Sequence, residues 1–343
     1  MSEAARAGEA VPSGRFVQPP VLADILAPVE SDLLLVETEL RKSLGSDVEI
    51  IRTIGRYLSE GGGKRIRPAL LLLCSRLAGY EGDRHVLFAT VFELIHTATL
   101  VHDDVIDSSA LRRGRSTVHQ RWGNHLTVLV GDHLYLKAMN FALSADDLRL
   151  VKILCDITLE MIEGEIIQSH INGRMDVSEA QYLDVMRRKT ALLFSGCAQV
   201  AGVLAGKDAE RTESLRRLGL NLGMAYQIVD DLLDFTADAR ILGKPVANDL
   251  REGRITLPLI YLLERGDARH QEMIRCVLET RGFDQVSLES VVKEMEACGT
   301  LERTRRAAID YCEDARACLA GFPDSPARRS LNDVCDFITA RSF

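Results

Sequence analysis

Two apolar helical runs in this chain end on the same signature, and that pairing narrows the available folds more than any other feature. The first is Glu93-Leu94-Ile95-His96-Thr97-Ala98-Thr99-Leu100-Val101-His102-Asp103-Asp104-Val105-Ile106-Asp107; the second is Tyr226-Gln227-Ile228-Val229-Asp230-Asp231-Leu232-Leu233-Asp234-Phe235. Helix positions four apart share a face one turn apart, so Asp103 and Asp107 project together with Asp104 beside them, and Asp230, Asp231 and Asp234 repeat the arrangement. Carboxylates held this closely raise one another's pKa values and require a compensating cation. Hard oxygen ligands suit Mg²⁺, which takes one or two carboxylates and fills its remaining positions with substrate phosphates and water. One such cluster is commonly a solvated helix face. Two, each closing an apolar helix, imply two facing walls of one metal site.

The rest of the chain is helical in pattern. Apolar residues recur at three- and four-residue intervals from Val21 through Leu40 and from Ile50 through Leu58. Gly61-Gly62-Gly63 interrupts the pattern, and Pro68 stands where a helix can begin. Helices are expected at about 84–107, 124–143 and 147–171, with a polar loop running to about residue 120. The capping-box spacing from Ser178 to Gln181 opens another that runs to about Ala205, and a further helix at about 208–236 carries the second acidic motif. The C-terminal third is helical again, and no period-two run of β-branched residues occurs. The expected fold is all-α, a single domain of about a dozen helices spanning residues 21–343 around a central cavity, behind a flexible tail of residues 1–20.

The net charge is −8, of which the two acidic motifs supply six, so the remainder is nearly balanced and lacks the basic excess of a nucleic-acid partner. Eight cysteines without a CxxC pair or zinc-ligand spacing read as reduced, buried small hydrophobes of a cytoplasmic protein. The N-terminus lacks the apolar core of a signal peptide, and no apolar run is expected to approach the roughly 20 residues that span a bilayer.

If the acids hold magnesium, the ligand carries phosphate and cations should meet it. Gly62-Gly63-Lys64-Arg65-Ile66-Arg67-Pro68 puts three positive side chains before a helix start, where free N–H groups and the helix dipole also favour an anion. Arg112 and Arg113 follow the first acidic motif, and arginine's planar fork grips phosphate oxygens bidentately. Lys189-Thr190, Lys244 and Arg254 add further cations, each alone more often surface than site. His96 lies two turns before Asp103 on nearly the same face, which favours a ligand contact over the commoner core histidine. Gln227, one turn before Asp230, fits a core hydrogen bond as well as a site.

Gly-Gly-Lys-Arg-Ile-Arg-Pro at 62–68, His-Asp-Asp-Val-Ile-Asp at 102–107, Leu-Arg-Arg-Gly at 111–114, Lys-Thr at 189–190, the run at 226–235, and Gly-Lys-Pro followed by Asp-Leu-Arg-Glu-Gly at 243–253 together resemble the trans-polyprenyl diphosphate synthases. The likeness is greatest to the long-chain bacterial type, such as octaprenyl, solanesyl and decaprenyl diphosphate synthases, and runs from about residue 25 to the end. It implies an isoprenoid synthase bundle and head-to-tail condensation of isopentenyl diphosphate onto an allylic diphosphate, with a quinone side chain as the expected use. By the same resemblance Asp103, Asp104, Asp107, Asp230, Asp231 and Asp234 would hold three Mg²⁺ ions. Arg112, Lys189, Thr190, Gln227 and Lys244 would contact the allylic substrate, and Lys64, Arg67, His96 and Arg113 the isopentenyl diphosphate. Asp103, Asp107, Lys189, Asp230 and Lys244 would carry catalysis. Two departures stand out: Arg254 replaces the family's usual lysine, and Ala247 its usual glycine.

Small residues below the first motif, Ala98 and Thr99, would leave the product pocket open where short-chain members place bulky aromatics, so a product of about C35–C50 is expected. Phe88, Phe92 and Ile95, or Leu136, Met139 and Leu143, are candidates for its floor. The resemblance also implies a homodimer, with a transient membrane contact for product release. The alternatives are a short-chain farnesyl or geranylgeranyl diphosphate synthase and a non-catalytic subunit of a heteromeric synthase. Such subunits lose acidic motifs, whereas terpene cyclases pair one DDxxD with a different triad; both motifs are intact here.

Overall fold

The computed structural model describes residues 20–237 and 246–341, so Lys244 and nearly all of the expected tail lie outside the described residues. Leu22–Leu26 (α1) leads through a short 3₁₀ turn into Glu30–Ser43 (α2), Glu49–Glu60 (α3) and Ile66–Leu77 (α4). Arg84–Ile106 (α5) carries the first acidic motif and is followed by a ribbon of Leu111–Arg112 (β1) and Arg115–Ser116 (β2), then by Val118–Leu143 (α6) and Leu148–Ile171 (α7). Glu179–Met186 (α8) continues through a π-helical turn at Arg187–Ala191 into Leu192–Leu204 (α9), and Ala209–Thr236 (α10) carries the second motif. Asn248–Arg251 (α11), Leu257–Leu263 (α12), Ala268–Thr280 (α13), Leu288–Ala297 (α14), Thr300–Ala317 (α15) and Pro326–Ala340 (α16) complete the chain. The fold is all-α, as the periodicity predicts.

The two motif-bearing helices are central because their sequences leave them nowhere else to go. Helix α5 is apolar on nearly every side, and Phe88, Phe92, Leu94 and Ile95 have no accessible surface. It packs along α6, with α4 and α2 also against it. At 23 residues it is long and apolar enough to cross a membrane, which corrects the expectation that no run reaches that size; most of its apolar stretch is buried, as in a core helix. Helix α10 lies against α9 and α15. Its Gly219 and Gly223, one turn apart, permit this approach: a Cβ at 219 would sit 2.4 Å from the Phe194 carbonyl oxygen, and one at 223 would sit 2.6 Å from Ala191 Cα. The expected capping box at the start of α8 is present, Gln181 N donating to Ser178 Oγ and Ser178 N to Gln181 Oε1.

Three local features differ from the sequence reading. The polar loop after α5 holds the ribbon, with Leu111 opposite Ser116 and Arg112 opposite Arg115. Its tip, Arg113-Gly114, has φ of 53° and 74°, the positive pair of a two-residue hairpin turn, and two-residue strands are too short to show as an alternation. Only four of the eight cysteines are buried (Cys74, Cys197, Cys312, Cys335), while Cys155 is exposed; all are free thiols. Leu136 and Leu143, proposed floors of a product tunnel, lie on the outer face of α6 at 66% and 51% exposure, so within a single chain they cannot close an interior channel.

Candidate active site

A cavity of about 1790 Å³ is lined by Lys64 and Arg67 from the start of α4, His96 and Asp107 of α5, Arg112 and Arg113 of the ribbon, Asp230 of α10, and Arg254. Cations, a histidine and one aspartate from each motif therefore face one space. Ligand pockets for a single small molecule usually hold 300–1,000 Å³, so there is room for two charged substrates.

On the first wall, Asp104 is buried and accepts from Arg112 Nε at 2.7 Å. Asp103 sits lower, near Glu165 and Lys189, with Lys189 Nζ 2.5 Å from Glu165 Oε2. Burial pushes the Asp103 carboxyl from 3.8 up to about 7; Glu165 and Asp107 add to the rise, while Lys189 and Arg112 oppose it. Lys189 reaches this position from the π-helical turn, whose extra residue per turn redirects it toward α7. There Gly164 leaves the gap: a Cβ on it would lie 3.1 Å from Lys189 Cγ.

On the second wall, Asp231 is buried with both oxygens engaged, by Tyr182 Oη at 2.7 Å and Gln227 Nε2 at 2.7 Å. Thr190 Oγ1 donates in turn to Gln227 Oε1 at 2.9 Å, so Thr190 and Gln227 form a brace behind Asp231. Burial raises the Asp231 pKa, and nearby Asp249 adds to the rise. Asp234 is fully inaccessible and accepts from the Asp249 backbone N–H at 3.0 Å. Arg254 ties the walls together, its Nη1 3.2 Å from Asp107 Oδ1 and its Nη2 3.0 Å from Asp249 Oδ1. The lysine usual here in the family has a single ammonium and could not fork this way. Ala247, where the family has glycine, has φ of 53°, the left-handed region that glycine enters without strain, and its N–H donates to the Asp234 carbonyl at 2.7 Å.

The basic cluster before α4 divides. Lys64 and Arg67 enter the cavity rim, with Arg67 Nη1 3.1 Å from His96 Nε2 and its guanidinium 4.6 Å from the Phe194 ring centroid. Arg65, at a left-handed φ of 51°, also reaches the cavity wall but is paired there with Glu37 and Glu93, so its charge is spent on anchoring the loop. Burial and the surrounding arginines hold His96 well below its ordinary pKa, leaving a neutral hydrogen-bonding imidazole. Arg113 Nη1 donates to the carbonyls of Gly61 and Gly62, which fixes its fork beside Lys64. Neither Ala98, which is buried, nor Thr99, which donates to the His96 carbonyl at 2.8 Å, lines the large cavity.

The donor set fits magnesium. Among the described residues no three His, Cys, Asp or Glu side chains converge closely enough to hold an ion on protein ligands alone. Magnesium asks for less, taking few carboxylates and completing its shell with phosphates and water. Asp103, Asp107 and Asp230 remain partly accessible for that purpose, whereas Asp104, Asp231 and Asp234 lie behind them.

Motif spacing did not reveal Glu165, Gln168, whose Oε1 also accepts from Lys189 Nζ, or Tyr182. The first two continue the inward face of α7 set by Ile157, Met161 and Gly164, so polar residues on an otherwise buried stripe were their signal. Tyr182 carries no comparable mark.

The family model described as Polyprenyl synthetase matches residues 48–295. Octaprenyl diphosphate synthase of Escherichia coli (strain K12) is 42% identical over 300 residues, covering 88% of this chain and 93% of that protein. A polyprenyl synthase from Caulobacter crescentus, solved with calcium and isoprenyl diphosphate, superposes with a TM-score of 0.90 at 34% identity, covering 94% of this chain and 99% of the other. A decaprenyl diphosphate synthase from Rhodobacter capsulatus gives 0.87 at 38% identity, with coverage of 94% and 98%. With its two acid-bearing helices facing one cation-lined cavity, the chain belongs to the polyprenyl synthetase family.

Proposed function

We propose that the chain is a Mg²⁺-dependent trans-prenyltransferase that adds isopentenyl diphosphate units head to tail to an allylic diphosphate, building an all-trans polyprenyl diphosphate of about C35–C50. The observation that carries this reading is the meeting of Asp107 and Asp230, from motifs far apart in sequence, in one cavity with Lys64, Arg67, Arg112 and Arg113. Relatives named as octaprenyl and nonaprenyl diphosphate synthases support the long product.

Breaking the allylic C–O bond leaves a carbocation and a diphosphate whose negative charge must be met before it develops. Arg112, Lys189 and Arg254 are held by Asp104, Glu165 and Asp249, so their charges are oriented in advance. Asp103, Asp107 and Asp230, with Asp104, Asp231 and Asp234 behind them, would hold Mg²⁺, which would supply Lewis acidity to the leaving diphosphate. Lys64, Arg67, neutral His96 and Arg113 hold the isopentenyl diphosphate so that its double bond attacks the cation. A C–C bond forms, and the proton lost in restoring the alkene passes to the departed diphosphate. Lys244, outside the described residues, is assigned to the allylic contacts on the family resemblance alone. Incubation of the purified single chain with farnesyl diphosphate, isopentenyl diphosphate and Mg²⁺ is expected to yield C35–C50 products; a C15 or C20 end product, or inactivity without a second subunit, overturns the reading.

The enzyme is cytoplasmic and works as a homodimer in this proposal, touching the membrane only to release product. Support for the dimer comes from two adjacent apolar stripes open to solvent: Leu129, Leu136 and Leu143 at seven-residue intervals on α6, and Leu159, Ile162 and Ile166 on α7, each more than half exposed. Apolar faces of this size on a folded chain mark an interface. Leu136→Glu is expected to convert the dimer to monomer by light scattering, and an unchanged mass would place the interface elsewhere.

A further inference from the structure

Arg341, at the C-terminal end of α16, brings into the cavity a cation that none of the sequence motifs includes. Its Nη2 donates to Asp230 Oδ1 at 2.8 Å, and its guanidinium carbon lies 4.9 Å from the Tyr226 ring centroid. Its Nη1 is buried without a hydrogen-bond partner. Lys64 is close enough for like charges to repel, since burial and then Arg341 lower the Lys64 pKa. A fork with one arm on a carboxylate, the neutral Tyr226 side chain as a further partner and its Nη1 left unpaired, beside a second cation, is arranged to receive another anion.

We propose that Arg341 couples two binding events: it competes with a divalent ion for the Asp230 carboxylate and, once displaced, joins Lys64 in binding the diphosphate of isopentenyl diphosphate. This rests on the prenyltransferase reading above. A divalent ion arriving at Asp230 takes over the negative charge that holds the guanidinium and repels the cation itself, so ion binding weakens the Arg341–Asp230 pair and favours release of the arginine. The released fork remains on the helix end beside Lys64, where a diphosphate offers the acceptors that Asp230 has withdrawn. Metal and homoallylic substrate then favour each other's binding, and by linkage the effect is reciprocal.

The test follows Mn²⁺ binding by its EPR signal, with and without isopentenyl diphosphate and with no allylic primer present, so that nothing turns over. In the native enzyme isopentenyl diphosphate is expected to tighten Mn²⁺ binding about fivefold or more beyond its own chelation of the ion. Arg341→Gln should bind Mn²⁺ alone several-fold more tightly, lose the coupling, and raise the KM for isopentenyl diphosphate about tenfold or more, with the allylic KM nearly unchanged. Arg341→Lys, which keeps the charge without the fork, should fall between the two and serves if glutamine unfolds the helix end. Native Mn²⁺ affinity or native coupling in these variants overturns the inference while native turnover leaves the prenyltransferase reading standing; a native chain that forms no polyprenyl product overturns that reading instead.

Discussion

Asp103→Asn is expected to lower kcat by about a thousandfold or more while making the metal-free protein more stable at pH 8. Both effects come from the same carboxyl. Its folded pKa is about 7 against the usual 3.8, because burial and the facing Glu165 disfavour the charge. A carboxyl raised on folding favours the native state only while protonated, so folding incurs no penalty below about pH 4, a growing one between 4 and 7, and a constant one above 7. The shift corresponds to a penalty of roughly a few kcal/mol at pH 8. Asparagine removes it, so the melting temperature in EDTA should rise by several degrees at pH 8 and by less at pH 5. The charge that strains the fold is also the one that would hold the ion, so the stabilised variant should be the inactive one. Retention of more than a tenth of the native activity, or an equal gain in melting temperature at the two pH values, would sever that connection.

The order of helices was legible because it depends on local periodicity, and α5, α7 and α10 begin and end close to where their apolar patterns do. What each charged side chain meets was less legible, because that depends on helices distant in sequence. Lys64, Arg65 and Arg67 look equivalent as a string and all three reach the cavity wall, yet Arg65, at a left-handed φ, is neutralised there by Glu37 and Glu93. Likewise, the six aspartates do not depend on divalent ions alone, because the protein supplies partners of its own. Arg112, Arg254 and Arg341 pair with Asp104, Asp107 and Asp230, while Tyr182, Gln227 and a backbone N–H hold Asp231 and Asp234. The chain thus tolerates most of its acidic motifs through arginines drawn from three separate segments and through neutral donors, and leaves Asp103 as the motif carboxyl whose charge burial disfavours most on the first wall. Ala247 shows the opposite case: its departure from the family's glycine was visible in the sequence, but the left-handed backbone that gives the departure a cost was not.

Ala98→Phe is expected to shorten the product to about C20 or less while leaving the rate of isopentenyl diphosphate incorporation within about tenfold. Ala98 lies five residues before Asp103, roughly 8 Å along the axis of α5, and is buried. That depth below the diphosphate site is where a growing hydrocarbon must pass if it follows α5 into the fold. The large cavity combines its cations and acids with apolar side chains such as Phe194, Leu233 and Phe337 but does not include Ala98, so a path along α5 is distinct from it. A methyl side chain leaves that path open, and a phenyl ring swung into it would stop elongation after few additions without touching the catalytic groups. If no channel exists there, the ring has to enter packed core and costs about 1–3 kcal/mol, seen as a lower melting temperature. The two outcomes separate cleanly: short products at nearly native stability place the channel along α5, whereas native-length products from a destabilised protein direct it elsewhere.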